Sequence, residues 1–98
     1  FDDFDAAMEI ANDSEFGLVS YVWSQDMATI MAATEALRAG VVWVNTPLTR
    51  ELRAPFGGYK NSGVGRDGGE WSRALFTEEK TVTLPRRTFP IAKLGMPD

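Results

Sequence analysis

Neither cysteine nor histidine occurs anywhere in the 98 residues. Disulfides, a thiol nucleophile, an imidazole base and the usual Cys/His zinc sites are therefore excluded within this chain. Basic residues are also scarce: ten lysines and arginines stand against fourteen acids, a formal net charge of −4. Such a chain has no electrostatic reason to bind nucleic acid or an anionic membrane. No apolar run approaches the roughly 18 residues that would suggest a membrane-spanning helix. The acidic start Phe1-Asp2-Asp3-Phe4-Asp5 is likewise unlike the basic start of a signal peptide. A soluble, cytoplasmic chain is the expectation, and the early acids offer no cage-like spacing for a metal ion. Asn12-Asp13-Ser14 spells a glycosylation acceptor, read as a chance match because nothing indicates secretion.

With 44% hydrophobic residues, the chain has material for one small core. Phe4, Ala7, Met8 and Ala11 recur at helical spacing behind Asp2, Asp3 and Asp5, which predicts a helix over Asp3–Asn12. After a turn through Glu15, the branched and aromatic run Gly17–Trp23 reads as a strand. Ser24 is placed to cap a second helix, with Asp26 beside its dipole and Met27, Ile30, Met31, Thr34 and Leu37 as its buried stripe. Arg38 falls in the last turn, Gly40 supplies the stop, and Val41–Val44 forms the next strand. Met27 and Met31 are read as core rather than as a binding surface, and Trp23 and Trp43 as packed. This helix–strand–helix–strand alternation predicts an α/β fold with a parallel or mixed sheet.

Beyond Asn45 the chain is irregular as far as Asp67, which is placed to cap a third, short helix carrying Trp71, Ala74 and Leu75 on one face. Lys80–Leu84 alternates with period two and reads as a half-buried strand closed by Pro85. Residues 86–98 read as a tail that orders only against another surface. No internal repeat or second domain is visible.

The most concentrated feature is Arg53 to Gly69, which holds six of the nine glycines interleaved with Phe56, Tyr59, Lys60, Asn61, Ser62 and Arg66. Aromatic and charged neighbours make this a shaped loop rather than a linker. Gly63-Val64-Gly65-Arg66-Asp67-Gly68 spells the Gly-x-Gly-x-x-Gly of a dinucleotide pyrophosphate loop. The strand that should precede such a loop is missing, and no Gly-Lys-Ser/Thr ending makes it a P-loop, so phosphate binding is not expected here.

Several stretches taken together carry a resemblance: Gly17-Leu18 before a strand, Gly40-Val41-Val42-Trp43-Val44-Asn45, Pro55 through Arg66, and Phe76-Thr77-Glu78-Glu79-Lys80-Thr81-Val82. In order and spacing they resemble the carboxyl-terminal end of the aldehyde dehydrogenase superfamily, along almost the whole chain. The resemblance implies a fragment of a larger catalytic domain, with residues 1–77 as its carboxyl-terminal part, 78–85 as a terminal oligomerisation strand and 86–98 as a tail. It also implies NAD or NADP as cofactor of the full-length enzyme, with none expected to bind this chain alone. In the family a cysteine thiolate attacks the aldehyde and a glutamate assists water. Neither residue of that machinery matches a position here, so no catalytic residue is assigned.

What the resemblance assigns to this segment is a substrate-entrance loop and a subunit contact. The loop Asn45–Phe56 matches the family's substrate-lining loop, and Phe56 matches an aromatic that packs near the reacting aldehyde. Thr46, Arg50, Arg53 and Phe56 are the substrate-binding candidates. Lys80–Leu84 looks like the strand through which subunits of a homo-oligomer pair, since exposed edges invite strand addition. Arg50-Glu51-Leu52-Arg53 ahead of Ala54-Pro55-Phe56-Gly57-Gly58 is similar to the loop in dehydrogenases of hydroxymuconic and carboxymethyl-hydroxymuconic semialdehydes, whose substrates carry carboxylates. An arginine suits that task because its planar guanidinium holds a carboxylate through two parallel bonds and stays charged. Arg50 is preferred to Arg53 by position, while pairing of either with Glu51 or another acid is the structural alternative. A different class of reading is a non-catalytic interaction module or an excised, self-associating fragment.

Overall fold

A computed structural model describes residues 1–88, Pro90 and Gly95. Helix α1 spans Phe4–Asn12, capped by Asp3, whose carboxylate accepts from the Ala6 amide. Strand β1 (Phe16–Gly17) leads into β2 (Val19–Val22), then α2 (Met27–Ala36), β3 (Val41–Val44), β4 (Tyr59–Lys60) and α3 (Gly69–Phe76). β2 and β3 pair in parallel, Val19 opposite Val41 through Val22 opposite Val44, with α2 as the crossover that a parallel pair requires. β1 pairs antiparallel with β4, Phe16 opposite Lys60 and Gly17 opposite Tyr59. The α/β class and the parallel pairing agree with the sequence reading.

Several details differ. The expected strand Gly17–Trp23 is two strands serving different sheets, and Trp23 lies outside both, 64% exposed. Asp26, not Ser24, caps α2: its carboxylate accepts from the Thr29 amide and hydroxyl, and these bonds hold its pKa below the ordinary value. Ser24 instead accepts from the Asp26 amide. α2 ends at Ala36, before Arg38, so Gly40 is not its stop. Gly40 is required for close approach: a Cβ there would stand 1.6 Å from the Gly57 carbonyl oxygen.

The buried apolar core consists of Ile30, Ala33, Leu37 and Ala39. Met27 and Met31, expected in it, are exposed, because only one side of α2 meets the small sheet. Trp43 is half-buried with its ring 5.4 Å from that of Tyr21. α3 starts after Gly68, whose φ of 107° suits glycine, rather than after Asp67 as a cap. Lys80–Leu84 joins no ladder among the described residues, and Val82 and Leu84 are exposed, so the expected strand has no partner within the described chain. Most of the 86–98 tail lies outside the described residues. No helix among the described residues is long and apolar enough to cross a membrane.

Two side chains tie the pieces together. Asn12 donates to the Ala36 carbonyl (2.9 Å) and accepts from the Arg38 amide (2.8 Å), locking the end of α1 to the end of α2. The same residue begins the glycosylation-like triplet, and its amide is thus engaged in the fold. Lys60 then closes the end of α1, its ammonium donating to the Asn12 and Ser14 carbonyls at 2.7 and 2.8 Å.

Candidate functional site

The site begins where the parallel strands end, at the carboxyl edge where ligands of α/β folds tend to bind. Asn45 follows β3 in a left-handed conformation, φ 52°, and its side chain accepts from the Ser24 amide (3.0 Å) and donates to the Ser24 carbonyl (2.7 Å). That paired clamp fixes the point at which the loop leaves the sheet. The loop then folds back: the Trp43 indole donates to the Thr49 carbonyl (2.7 Å), and the Thr46 and Thr49 hydroxyls lie 2.7 Å apart.

Between β3 and this loop lies a cleft of about 170 Å³ whose lining includes Val42, Trp43, Arg50, Glu51, Pro55 and Phe56. The Arg50 guanidinium lies 5.0 Å from the centre of the Phe56 ring, a cation–π contact. Its Nη2 is 3.6 Å from Asp67 Oδ2, with the Arg50 side chain about half exposed. Phe56 and Asp67 exchange two backbone hydrogen bonds of 2.7 Å, so the ring under Arg50 and the acid beside it move as one piece. The Ser72 hydroxyl, the Gly68 amide and then the Arg50 charge hold the Asp67 carboxyl below its ordinary pKa. The acid therefore stays charged at neutral pH.

Arg53, three residues on from Arg50, is differently placed. Its Nε and Nη2 donate to the two Glu51 oxygens at 2.8 and 2.9 Å, and its side chain is 86% exposed. This pair pulls the Glu51 carboxyl down to about 2. The structure thus brings Arg50 and Phe56 together in the cleft and sets Thr46 beside it, hydrogen-bonded to Thr49. Arg53, the other arginine among the substrate-binding candidates, pairs with Glu51, whose carboxylate two residues away fits its fork. A larger hollow of about 530 Å³ lies beside α1, lined by Glu9, Ile10, Asn12 and Asp13. It presents two acids and no cation, whereas the smaller cleft carries Arg50. Among the described residues no cluster of acids could hold a metal ion.

Asp67 is the member of the site that sequence reading passes over, taking it as a helix cap. The Gly-x-Gly-x-x-Gly run does not fit a dinucleotide: it follows the two-residue antiparallel β4, and its own Arg66 donates to the Gly58 and Gly65 carbonyls at 2.9 and 2.8 Å. The arginine also lies 5.5 Å from the Tyr59 ring centre, closing the loop upon itself. Gly57 and Gly58 meet Gly40 and Ser62 behind the cleft, so this stretch braces the loop.

The chain is 44% identical over 84 residues to 2-aminomuconic semialdehyde dehydrogenase of Danio rerio, an alignment covering 86% of this chain and 17% of that protein. It is 40% identical over 84 residues to 2-hydroxymuconic semialdehyde dehydrogenase of Pseudomonas putida, with the same coverage. The chain therefore spans about a sixth of the length of the curated relatives it matches. Superposed on the crystal structure of HpcC from Thermus thermophilus, it gives a TM-score of 0.83 at 38% identity, covering 98% of this chain and 19% of that one. Aldehyde dehydrogenase structures in complex with NAD+ are also among those it resembles. Residues 1–82 match the model of the aldehyde dehydrogenase family, and the chain belongs to that family.

Proposed function

We propose that the chain is the carboxyl-terminal part of a cytoplasmic NAD- or NADP-dependent dehydrogenase that oxidises a carboxylated semialdehyde to the acid, in aromatic ring-cleavage catabolism. The observation that carries this reading is Arg50: a guanidinium in the cleft, laid on Phe56, with an ion-pair contact to Asp67 that is loose at 3.6 Å. Among the described residues its Nε and Nη1 meet no acceptor, which leaves donors for a ligand carboxylate. The names of the relatives, semialdehyde dehydrogenases of the muconic type, agree with such a ligand.

In this reading the segment binds and orients; it supplies neither nucleophile nor base. Arg50 holds the carboxylate remote from the aldehyde, and Phe56 forms an apolar wall that excludes water on one side. Thr46 and Thr49, joined through their hydroxyls, set the height of the loop. Cofactor and cysteine belong to the rest of the complete enzyme.

In the complete enzyme, Arg50→Leu should raise KM for a carboxylated semialdehyde about 10- to 100-fold, the scale of a charge-assisted hydrogen bond lost. KM for a neutral aldehyde should change little. Equal effects on the two substrates would sink the assignment.

A second reading concerns the 98 residues on their own. Leu75, Phe76, Val82 and Leu84 are between 69% and 83% exposed, more apolar surface in one stretch than an isolated chain leaves wet. The separate chain should be inactive with NAD and aldehyde, and should self-associate through Lys80–Leu84 as a homo-oligomer. Light scattering that shows a monomer stable to concentration would contradict the association.

A further inference from the structure

Resting on the substrate reading above, we propose that Asp67 is the positioning residue for carboxylate recognition, holding Arg50 by Nη2 so that its other donors are set for the ligand. Three observations converge. Asp67 Oδ1 is fixed by the Gly68 amide at 2.8 Å and by the Ser72 hydroxyl, which leaves Oδ2 as the atom toward Arg50. The two backbone bonds between Asp67 and Phe56 lock this carboxylate to the ring on which the guanidinium lies. Arg50 has no other ion-pair partner among the described residues, so removing Oδ2 leaves only the ring face to aim it.

A rotatable arginine loses entropy each time it is ordered by a ligand, and an acid that already orders it reduces that cost. The specificity for a carboxylated substrate is thus distributed over a chain of contacts from Ser72 through Asp67 and Arg50. Asp67→Asn isolates the claim sharply. Asparagine keeps one oxygen for Gly68 and Ser72 but places an NH2 where Oδ2 stood, so a donor faces a donor.

The experiment compares steady-state kinetics of the complete enzyme and its Asp67→Asn, Ser72→Ala and Arg50→Leu variants on a carboxylated semialdehyde and a neutral aldehyde of equal length. Asp67→Asn should raise KM for the carboxylated substrate about 5- to 10-fold, with kcat and the neutral KM within about twofold. Ser72→Ala, which loosens Asp67 without reversing its polarity, should shift the same ratio by a smaller factor and keeps the test open if the asparagine variant is insoluble. An equal rise on both substrates, or no rise on either, would overturn the positioning role. Arg50→Leu separates the two levels. If it discriminates between the substrates while the Asp67 and Ser72 variants do not, positioning fails and the substrate reading stands. If Arg50→Leu itself does not discriminate, the substrate reading fails.

Discussion

The junction where Gly40 meets Gly57 and the loop that carries Arg50 are close neighbours held by opposite means. At the junction, backbone lies against backbone with no room for a methyl group: added Cβ atoms at Gly40, Gly57 and Gly17 would come within 1.6, 2.2 and 2.5 Å of carbonyl oxygens. The loop from Thr46 to Phe56 is mostly exposed, and its charged side chains meet one another or an aromatic face near the surface. Close packing tolerates no change in volume, whereas exposed ion pairs contribute little to stability. The difference assigns stability to the junction, while the loop contributes little to it and is free to carry the proposed selectivity.

The junction should be the more sensitive of the two regions to substitution. Gly40→Ala should cost about 3 kcal/mol or more, because the clash is with backbone that cannot rotate away. Thermal unfolding of the complete enzyme should show the loss; a variant that melts within a degree of the parent would mean that the two glycines are not in contact. Arg50→Leu is expected to act on the other side only, with its 10- to 100-fold change in KM and little change in melting. Between the two lies Asn45, which belongs to both regions. Asn45→Ala should cost about 2 kcal/mol through two lost hydrogen bonds and a left-handed backbone, and Asn45→Gly should recover the backbone part. Alanine and glycine variants of equal stability would contradict that division.

The smallest effect is expected at Arg53. Arg53→Gln should leave both KM values within about twofold, since an exposed pair on its own fixes little. The pH dependence has a definite sign. Glu51 has its folded pKa lowered from 4.5 to about 2, so whatever the pair contributes is fully present above pH 4.5 and is lost as pH falls toward 2. Following the Glu51 carboxyl by NMR in the 98-residue chain should give a midpoint near 2, moving up in Arg53→Gln. A native midpoint near 4.5 would show that the pair does not persist in solution.

What can be seen in the sequence is local. Val41–Val44 occupies the expected residues, and Asp3 caps the first helix, because an apolar branched run and an acid before an amphipathic stretch carry their own signal. Arg50 and Phe56 are legible through the spacing of a family loop. The split of Gly17–Trp23 into two strands is not, since strand partners come from distant sequence and Leu18 between them looks like any other strand residue. The exposure of Met27 and Met31 escapes for the same reason: a helical stripe states which residues share a face, not whether anything covers it. Asp67 is hidden by its proximity to a helix start, where an acid has an ordinary explanation. The clamps made by Asn12 and Asn45 leave no pattern, because each bonds to backbone groups that every residue possesses.

The most direct measurement is a crystal structure of the complete enzyme with the dicarboxylic product of a semialdehyde bound. The remote carboxylate should lie within about 3 Å of Arg50 nitrogens, the guanidinium still lying on Phe56 and one of its edges still beside Asp67. A product carboxylate bound away from Arg50, with that side chain unmoved, would contradict it.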